Sequence, residues 1–386
     1  MRRAVIIDCV RTPIGRAHPE KGLFRDVRSD DLAVACIQAL IERTKIDPAQ
    51  IEDVLLGCTQ QAAEQGLNVA RGVSLMAGLP VATGGTTINR LCGSSLQALN
   101  QAAHAIQSSA EDVQIAGGLE HMHHLPMDFQ FDPNFKLFAH TSKGALMMGV
   151  TAEFLAQTQG ISRADQDAFA HHSHVRAAEA HASGQFAREI VPVYGRDEEG
   201  NRILATMDQC VRPDSTLEAL AALEPAFMPK FGTVTAGNSS PLNDGAAALL
   251  MMSEEKAKSL GLKPLVRVVA TAIAGVEPCV MGTGPVPATQ KALARAGMKL
   301  TDIDLIELNE AFAAQSLACI RMLGMDAAKV NVRGGAIAIG HPLGASGARI
   351  ATTLIHAMID RGARYGLATM CIGLGQGIAT IFERCE

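Results

Sequence analysis

Cys92, His341 and Cys371 have the residue types and the settings for nucleophilic chemistry at a carbonyl. Cys92 lies in Asn89-Arg90-Leu91-Cys92-Gly93-Ser94-Ser95-Leu96, where the β-prone run Gly85–Ile88 leads into the thiol and a helical pattern follows at once. Leu96, Leu99, Ala103 and Ile106 recur at the three- and four-residue spacing of a helix with one buried face. Ser94 and Ser95 suit a helix start. Cys92 is therefore expected at an N-terminal end, where free amides and the helix dipole favour negative charge and make a thiol ionise more readily than a free one. Small neighbours leave room for a substrate. A soft, readily ionised sulfur both attacks carbonyls and leaves from thioesters, which suits a covalent two-step reaction. A lone cysteine is usually only packing material; the partners far down the chain argue for more.

Those partners stand in three late segments: Asn309-Glu310-Ala311-Phe312, the glycine-rich run Gly334–Gly344 that contains His341, and Met370-Cys371-Ile372-Gly373-Leu374-Gly375-Gln376-Gly377. Each is placed where a strand should end, and ligands of open α/β sheets gather outside the carboxyl ends of strands. Taken singly, His341 or the glycine turn 373–377 is weak evidence, and the turn lacks the helix a dinucleotide fingerprint requires. Together they specify a crevice holding two thiols and an imidazole.

The elements that must position them alternate strand and helix. Strands are expected at 4–10, 51–57 and 112–116, and helices at 31–43, capped by Asp30 or Asp31, and at 68–77. This alternation predicts a mainly parallel sheet covered on both faces. The second half repeats the plan with strands at 265–271, 302–308 and 365–370 and helices at 288–296 and 348–358. Val54, Cys92 and Ile115 correspond to Ile306, Gly344 and Leu367 at a constant offset of 252 residues. The reading is of two similar α/β halves packed as a pseudo-dimer around the site, with the strand 245–252 and the short helix from Ser253 to Gly261 returning to the first half. The expected division is 1–116 plus 240–262 for the first half, 117–239 for an inserted loop or lid domain, and 263–386 for the second half.

Composition fits a compact soluble protein with large buried sheets. The chain has 386 residues, 48% hydrophobic and 19% charged, and a net charge of −5 that gives no reason to expect nucleic acid. No apolar run suggests a membrane span, and the strand pattern at 4–10 leaves no leader pattern at the start. Nine cysteines, an odd number with no C-x-x-C pair, point to a reducing, cytoplasmic setting.

The four motifs, in this order and context, resemble those of the thiolases over essentially the whole chain, and within them the bacterial 3-ketoacyl-CoA thiolases that form the β subunit of a fatty-acid oxidation complex. The resemblance implies an α/β fold of duplicated βαβαβαββ halves in an α/β/α/β/α core. It implies that Cys92 is the nucleophile, His341 its base and Cys371 the acid/base at the substrate α-carbon. Asn309 would hold a water in one oxyanion hole shared with His341, and the amides of Cys92 and Gly373 would form the other. Met148, Met281, Ala311 and Phe312 would line the pantetheine channel, with Ala236 and Ser240 bonding the same arm. Coenzyme A would be a co-substrate, with no permanently bound cofactor and no metal. The partners implied are a second copy of the chain and a multifunctional hydratase/dehydrogenase α subunit in an α2β2 assembly.

Ser95, Leu374 and Pro241 stand where many thiolases have glycine; the first two occur in the fatty-acid oxidation branch. The stretch 117–149 does not resemble the tetramerisation loop of biosynthetic acetoacetyl-CoA thiolases, which favours a degradative homodimer. The rivals are that biosynthetic activity and a non-catalytic, thiolase-like scaffold. His121, His123 and His124, which follow a Gly-Gly-x-Glu segment, and His171, His172 and His174, on an expected exposed helix, invite a metal reading that imidazoles alone do not establish.

Overall fold

The computed structural model describes residues 2–385. Its main strands are β1 (Ala4–Arg11), β2 (Asp53–Gly57), β3 (Thr86–Ile88), β4 (Val113–His121), β5 (Asn243–Ser253), β6 (Val266–Gly275), β7 (Leu305–Leu308), β8 (Tyr365–Ile372) and β9 (Gln376–Arg384). They join in the order β7-β8-β9-β6-β1-β5-β4-β2-β3. The duplication is written into the register: Val54 pairs with Ile115, and Ile306 pairs with Leu367, the same two positions moved along the chain by the same offset. The halves meet where β1 and β6 pair antiparallel at Val5–Arg267 and Ile6–Val266.

The sheet is mixed, which corrects the mainly parallel expectation. β2–β4, β2–β3 and β7–β8 are parallel, whereas β5 and β9 run antiparallel to both neighbours. The cause in the second half is local. Gly373-Leu374-Gly375 is a tight turn, and a strand entered by a hairpin can only pair antiparallel. That turn hides β9 from a reading based on strand–helix alternation.

Helices lie in three layers. α1 (Ser29–Thr44) and α2 (Val69–Met76) cover the outer face of the first half, packing Leu32, Ile37, Leu40 and Val73 onto Val54, Ile115 and Leu250. α6 (Pro285–Ala296) and α7 (Ala313–Leu323) cover the outer face of the second half. Between the two half-sheets run α3 (Ser94–Ser108) and α8 (Leu343–Arg361), whose Leu96, Leu99, Ile350 and Leu354 form the central core with Ile6, Val266 and Phe382. This is the five-layered core the resemblance implies. No helix among the described residues is long and apolar enough to cross a membrane.

Several boundaries move for physical reasons. α8 starts at Leu343 rather than at 348, because Gly344 and Gly347 are packing glycines inside a helix and not part of a turn. A Cβ at 344 would stand 2.4 Å from the Leu119 carbonyl, and one at 347 would stand 2.3 Å from the Leu96 amide. α1 begins at Ser29, whose amide donates to Glu64 Oε1 at 2.9 Å, so Asp30 and Asp31 lie in the first turn instead of capping it. β4 runs on to His121, past the expected boundary at 117. The helix Arg163–Ala182 (α5) is closed by a Ser162/Asp165 capping box and buries Asp167, Ala170, His174 and Ala177, so it is not the exposed helix expected. Met148–Thr158 (α4) and α7 are helices the alternation did not reveal.

Candidate active site

The turn that carries Cys92 is built by short-range hydrogen bonds between β3 and α3. Asn89 Oδ1 accepts from the Leu91 amide at 2.8 Å. Ser94 Oγ accepts from the Arg90 amide at 2.9 Å and donates to the Leu91 carbonyl at 2.6 Å. Leu91 is held at φ +46, a conformation that costs a non-glycine residue energy and recurs at functional turns. Cys92 follows, buried ahead of the helix as expected. Its ionisation differs from expectation: burial pushes the thiol up to about 11, while the amides of Gly373 and of Cys92 itself pull the other way without winning. Desolvation outweighs the helix terminus here. The resting sulfur is a thiol.

His341 stands on the loop just before α8, its own amide donating to Asn243 Oδ1 at 2.8 Å. Nδ1 lies 2.5 Å from Ser346 Oγ, and that hydroxyl donates its one proton to the Pro342 carbonyl at 2.7 Å. Nδ1 must therefore carry the hydrogen between them, which leaves Nε2 as the bare, basic nitrogen. Nε2 is 3.4 Å from Asn309 Nδ2, while the buried Asn309 Oδ1 has no hydrogen-bond partner. Burial first, and the nearby Arg349 guanidinium second, hold the imidazole pKa down to about 3. It is neutral. Ser346 was not among the expected site residues; its place five residues after His341, in a turn read as non-helical, gave no signal.

Cys371 ends β8 and is buried. Its thiol is raised well above the ordinary range by burial first, then by Cys92 and Cys319. Cys92, His341 and Cys371 line one cavity of about 270 Å³. Met148, Met281, Ala311, Phe312 and Ser240 line it too, as does Pro241. Ser240 Oγ is occupied by the Ala311 carbonyl at 3.2 Å. Asn309 and Gly373 stand just behind the lining, touching His341 and Cys92 respectively. Ala236 is exposed and outside the lining. Sequence reasoning missed Met122, Met147, Phe227 and Leu343 in the walls. The walls are mostly apolar, so the two thiols and the imidazole face a poorly hydrated space.

The histidine-rich segments serve packing. His121 is buried with Nε2 3.0 Å from the Phe24 carbonyl and Nδ1 3.3 Å from Asp244 Oδ1, and its ring stacks on His124 at 3.7 Å. His174 Nδ1 accepts from the Arg212 amide at 3.2 Å. Among the described residues no group of three or more histidine, cysteine or acidic side chains is placed to hold a metal ion.

A family model described as the thiolase N-terminal domain matches residues 4–255, and one described as the thiolase C-terminal domain matches residues 262–384. The 3-ketoacyl-CoA thiolase of Shewanella frigidimarina is 54% identical over 388 residues, covering all of both chains. That of Aliivibrio fischeri is 55% identical over 389 residues, again covering both fully. Human mitochondrial 3-ketoacyl-CoA thiolase superposes with a TM-score of 0.92 at 38% identity, covering 100% of this chain and 99% of that one. An acetyl-CoA acetyltransferase of Bacillus anthracis superposes at 0.91 with 40% identity and the same coverage.

Proposed function

The chain belongs to the thiolase family and is therefore an acyltransferase, and from that premise we propose that it cleaves 3-ketoacyl-CoA with coenzyme A, giving acetyl-CoA and an acyl-CoA two carbons shorter. The observation that carries the reading is the convergence of Cys92, neutral His341 and Cys371 on one largely apolar cavity.

The Cys92 sulfur attacks the substrate ketone as its proton passes to His341 Nε2, the nitrogen that Ser346 leaves basic. The ketone oxygen becomes an oxyanion. The amides of Cys92 and Gly373 act on the resting sulfur, pulling its pKa down, so they are the donors assigned to that charge. Collapse of the adduct breaks the bond between the α- and β-carbons and leaves an acyl group on Cys92. The electron pair departs as the enolate of acetyl-CoA, its thioester oxygen facing the protonated His341 and a water that donates to Asn309 Oδ1. That acceptor is otherwise unused. Each preorganised oxyanion donor of this kind is typically worth about 3–4 kcal/mol of transition-state stabilisation. The Cys371 thiol then protonates the α-carbon. In the second half-reaction coenzyme A attacks acyl-Cys92, its thiol proton going to the Cys371 thiolate, and His341 returns its proton to the leaving Cys92 sulfur.

Met148, Met281, Ala311 and Phe312 are assigned to the pantetheine arm, supported by their place in the cavity wall, with Ser240 beside them and Ala236 further out on the surface. Coenzyme A is a co-substrate, not a resident cofactor. The working division of the chain is two thiolase halves with the segment 117–239 inserted as a loop or lid domain. We place the enzyme in the cytoplasm, as nine free cysteines favour, and as a homodimer. The edge strand β3, beside exposed Leu67 and Val81, is a free sheet edge of the kind a second copy covers. The inserted segment exposes Phe131, Phe135 and Phe231, a surface suited to a multifunctional hydratase/dehydrogenase α subunit in an α2β2 complex.

The deciding experiment measures thiolysis of 3-ketoacyl-CoA substrates from short to long chains beside a Cys92→Ala control. Activity on medium or long chains, abolished in the control, is expected. Activity confined to the four-carbon substrate would move the assignment to a biosynthetic acetyltransferase, the activity of the Bacillus anthracis relative's name. A folded protein inactive on every chain length would leave a scaffold.

A further inference from the structure

We propose that Glu120 is a positioning residue that fixes the separation of the nucleophile turn from the base loop; this rests on Cys92 and His341 being nucleophile and base. Glu120 lies on β4, is fully buried, and does not line the cavity. Its carboxylate nevertheless collects five nitrogen and oxygen donors, with the Cys58 thiol at 4.0 Å as a sixth. Oε2 accepts from the Thr59 amide at 2.9 Å, Thr59 Oγ1 at 2.6 Å and the Gly344 amide at 2.8 Å. Oε1 accepts from Gln65 Nε2 at 2.8 Å and the Gln60 amide at 3.3 Å.

Two chains of hydrogen bonds leave this carboxylate. Through Thr59 one runs to the nucleophile: the Thr59 carbonyl accepts from Asn89 Nδ2 at 3.0 Å, and Asn89 Oδ1 accepts from the amide of Leu91, the residue before Cys92. Through Gly344 the other runs to the base. Gly344 is in the first turn of α8, whose Ser346 holds the imidazole and whose start is joined to His341 through Pro342. One anion thus ties together the two loops whose spacing decides whether the thiol proton reaches Nε2.

The contact is too tight to absorb a change. A Cβ on Gly344 would come within 2.8 Å of Glu120 Oε2, so the carboxylate bears directly on the α8 backbone. Glutamine cannot substitute for it. Both oxygens face backbone amides, so in either orientation the NH2 group of a glutamine would point at N–H donors. The negative charge also suits the N-terminal end of α8.

The test is single-turnover acylation of Cys92 by a 3-ketoacyl-CoA, followed by rapid quenching and intact mass, for the wild type, Glu120→Gln and Thr59→Val, with KM taken as the substrate concentration that half-saturates the acylation rate. Misplacing reacting groups by about 1 Å costs on the order of 100-fold. Glu120→Gln is expected to slow acylation by about that factor and Thr59→Val by about 3–10-fold, both with KM within about 2-fold of wild type because the cavity walls are untouched. General loosening of the fold would instead raise KM in step with the loss of rate. Acylation within about 2-fold of wild type in Glu120→Gln, or in Thr59→Val should the first variant not fold, overturns the proposal, as does a parallel rise in KM. A wild type that never carries acyl on Cys92 overturns the underlying assignment, and is told apart because it fails before any variant is compared.

Discussion

Cys92 and His341 face one cavity as neutral groups, a thiol and an imidazole. Cys92, His341 and Cys371 announce themselves by glycine-rich surroundings at strand ends, and the structure brings all three to one cavity. Local sequence argued for a thiolate at a helix terminus; burial, which only the assembled fold supplies, reverses that and raises Cys92 to about 11. His341 goes the opposite way, to about 3, for the same reason. A base whose pKa is lowered is fully unprotonated above it, and an acid whose pKa is raised is fully protonated below it. Between about pH 5 and 9 neither group changes charge, so the active pair is thiol and imidazole throughout. The acylation kcat/KM is therefore expected to be flat across that interval as far as these two groups are concerned. A stopped-flow pH profile with a midpoint between about 6 and 7, the range of an ordinary histidine, would show that the imidazole is not neutral in the way its burial dictates.

At the scale of elements, periodicity located nearly every strand and helix of the duplicated core but misread what the glycines do. Gly340–Gly347 looks like a turn because glycine is common in turns, and no spacing rule says that a helix backbone must pass within contact distance of another. The structure gives the reason: α8 crosses α3 with Gly347 against Leu96 and meets β4 with Gly344 against Leu119. The same crossing brings the helix that carries Ser346, the hydrogen-bond partner of His341, beside the helix that follows Cys92. Gly347→Ala is expected to destabilise the protein by about 1–3 kcal/mol through forced separation of α3 and α8. The loss should appear in urea unfolding as a lower midpoint with little change in slope. Alanine at Gly261 or Gly297, where nothing lies within 4 Å of the added carbon but φ is +68 or +65, provides the contrast. There the cost is only that of the left-handed backbone, about 1–2 kcal/mol, and activity should be retained. If Gly347→Ala unfolds at the wild-type midpoint, the close approach of the two helices does not hold in solution.

At the scale of the molecule, the constant offset showed that the chain is a duplication, while the way the halves share a core had to come from packing. α8 belongs to the second half by sequence, yet it packs on β4 and β5 of the first half as well as on β7 and β8. Its Ile350 and Leu354 enter the same core as Leu96, Leu99 and Ile6. β1 and β6 close the sheet across the junction. A chain this long would ordinarily unfold in stages, and a division near residue 262 suggests two units that could do so separately. The shared core argues against it. Removing either half would expose the apolar faces of the central helices, so neither has a complete core alone. Urea unfolding followed by far-UV circular dichroism, and by the alkylation rate of Cys92, is expected to give one coincident transition. Residues 1–262 and 263–386 expressed apart are expected to be unfolded or aggregated. Two separated transitions, or a folded half, would mean that the central layer divides between the halves and that the site is assembled by docking. One transition would mean that Cys92 and His341 exist as a pair only when the entire fold does.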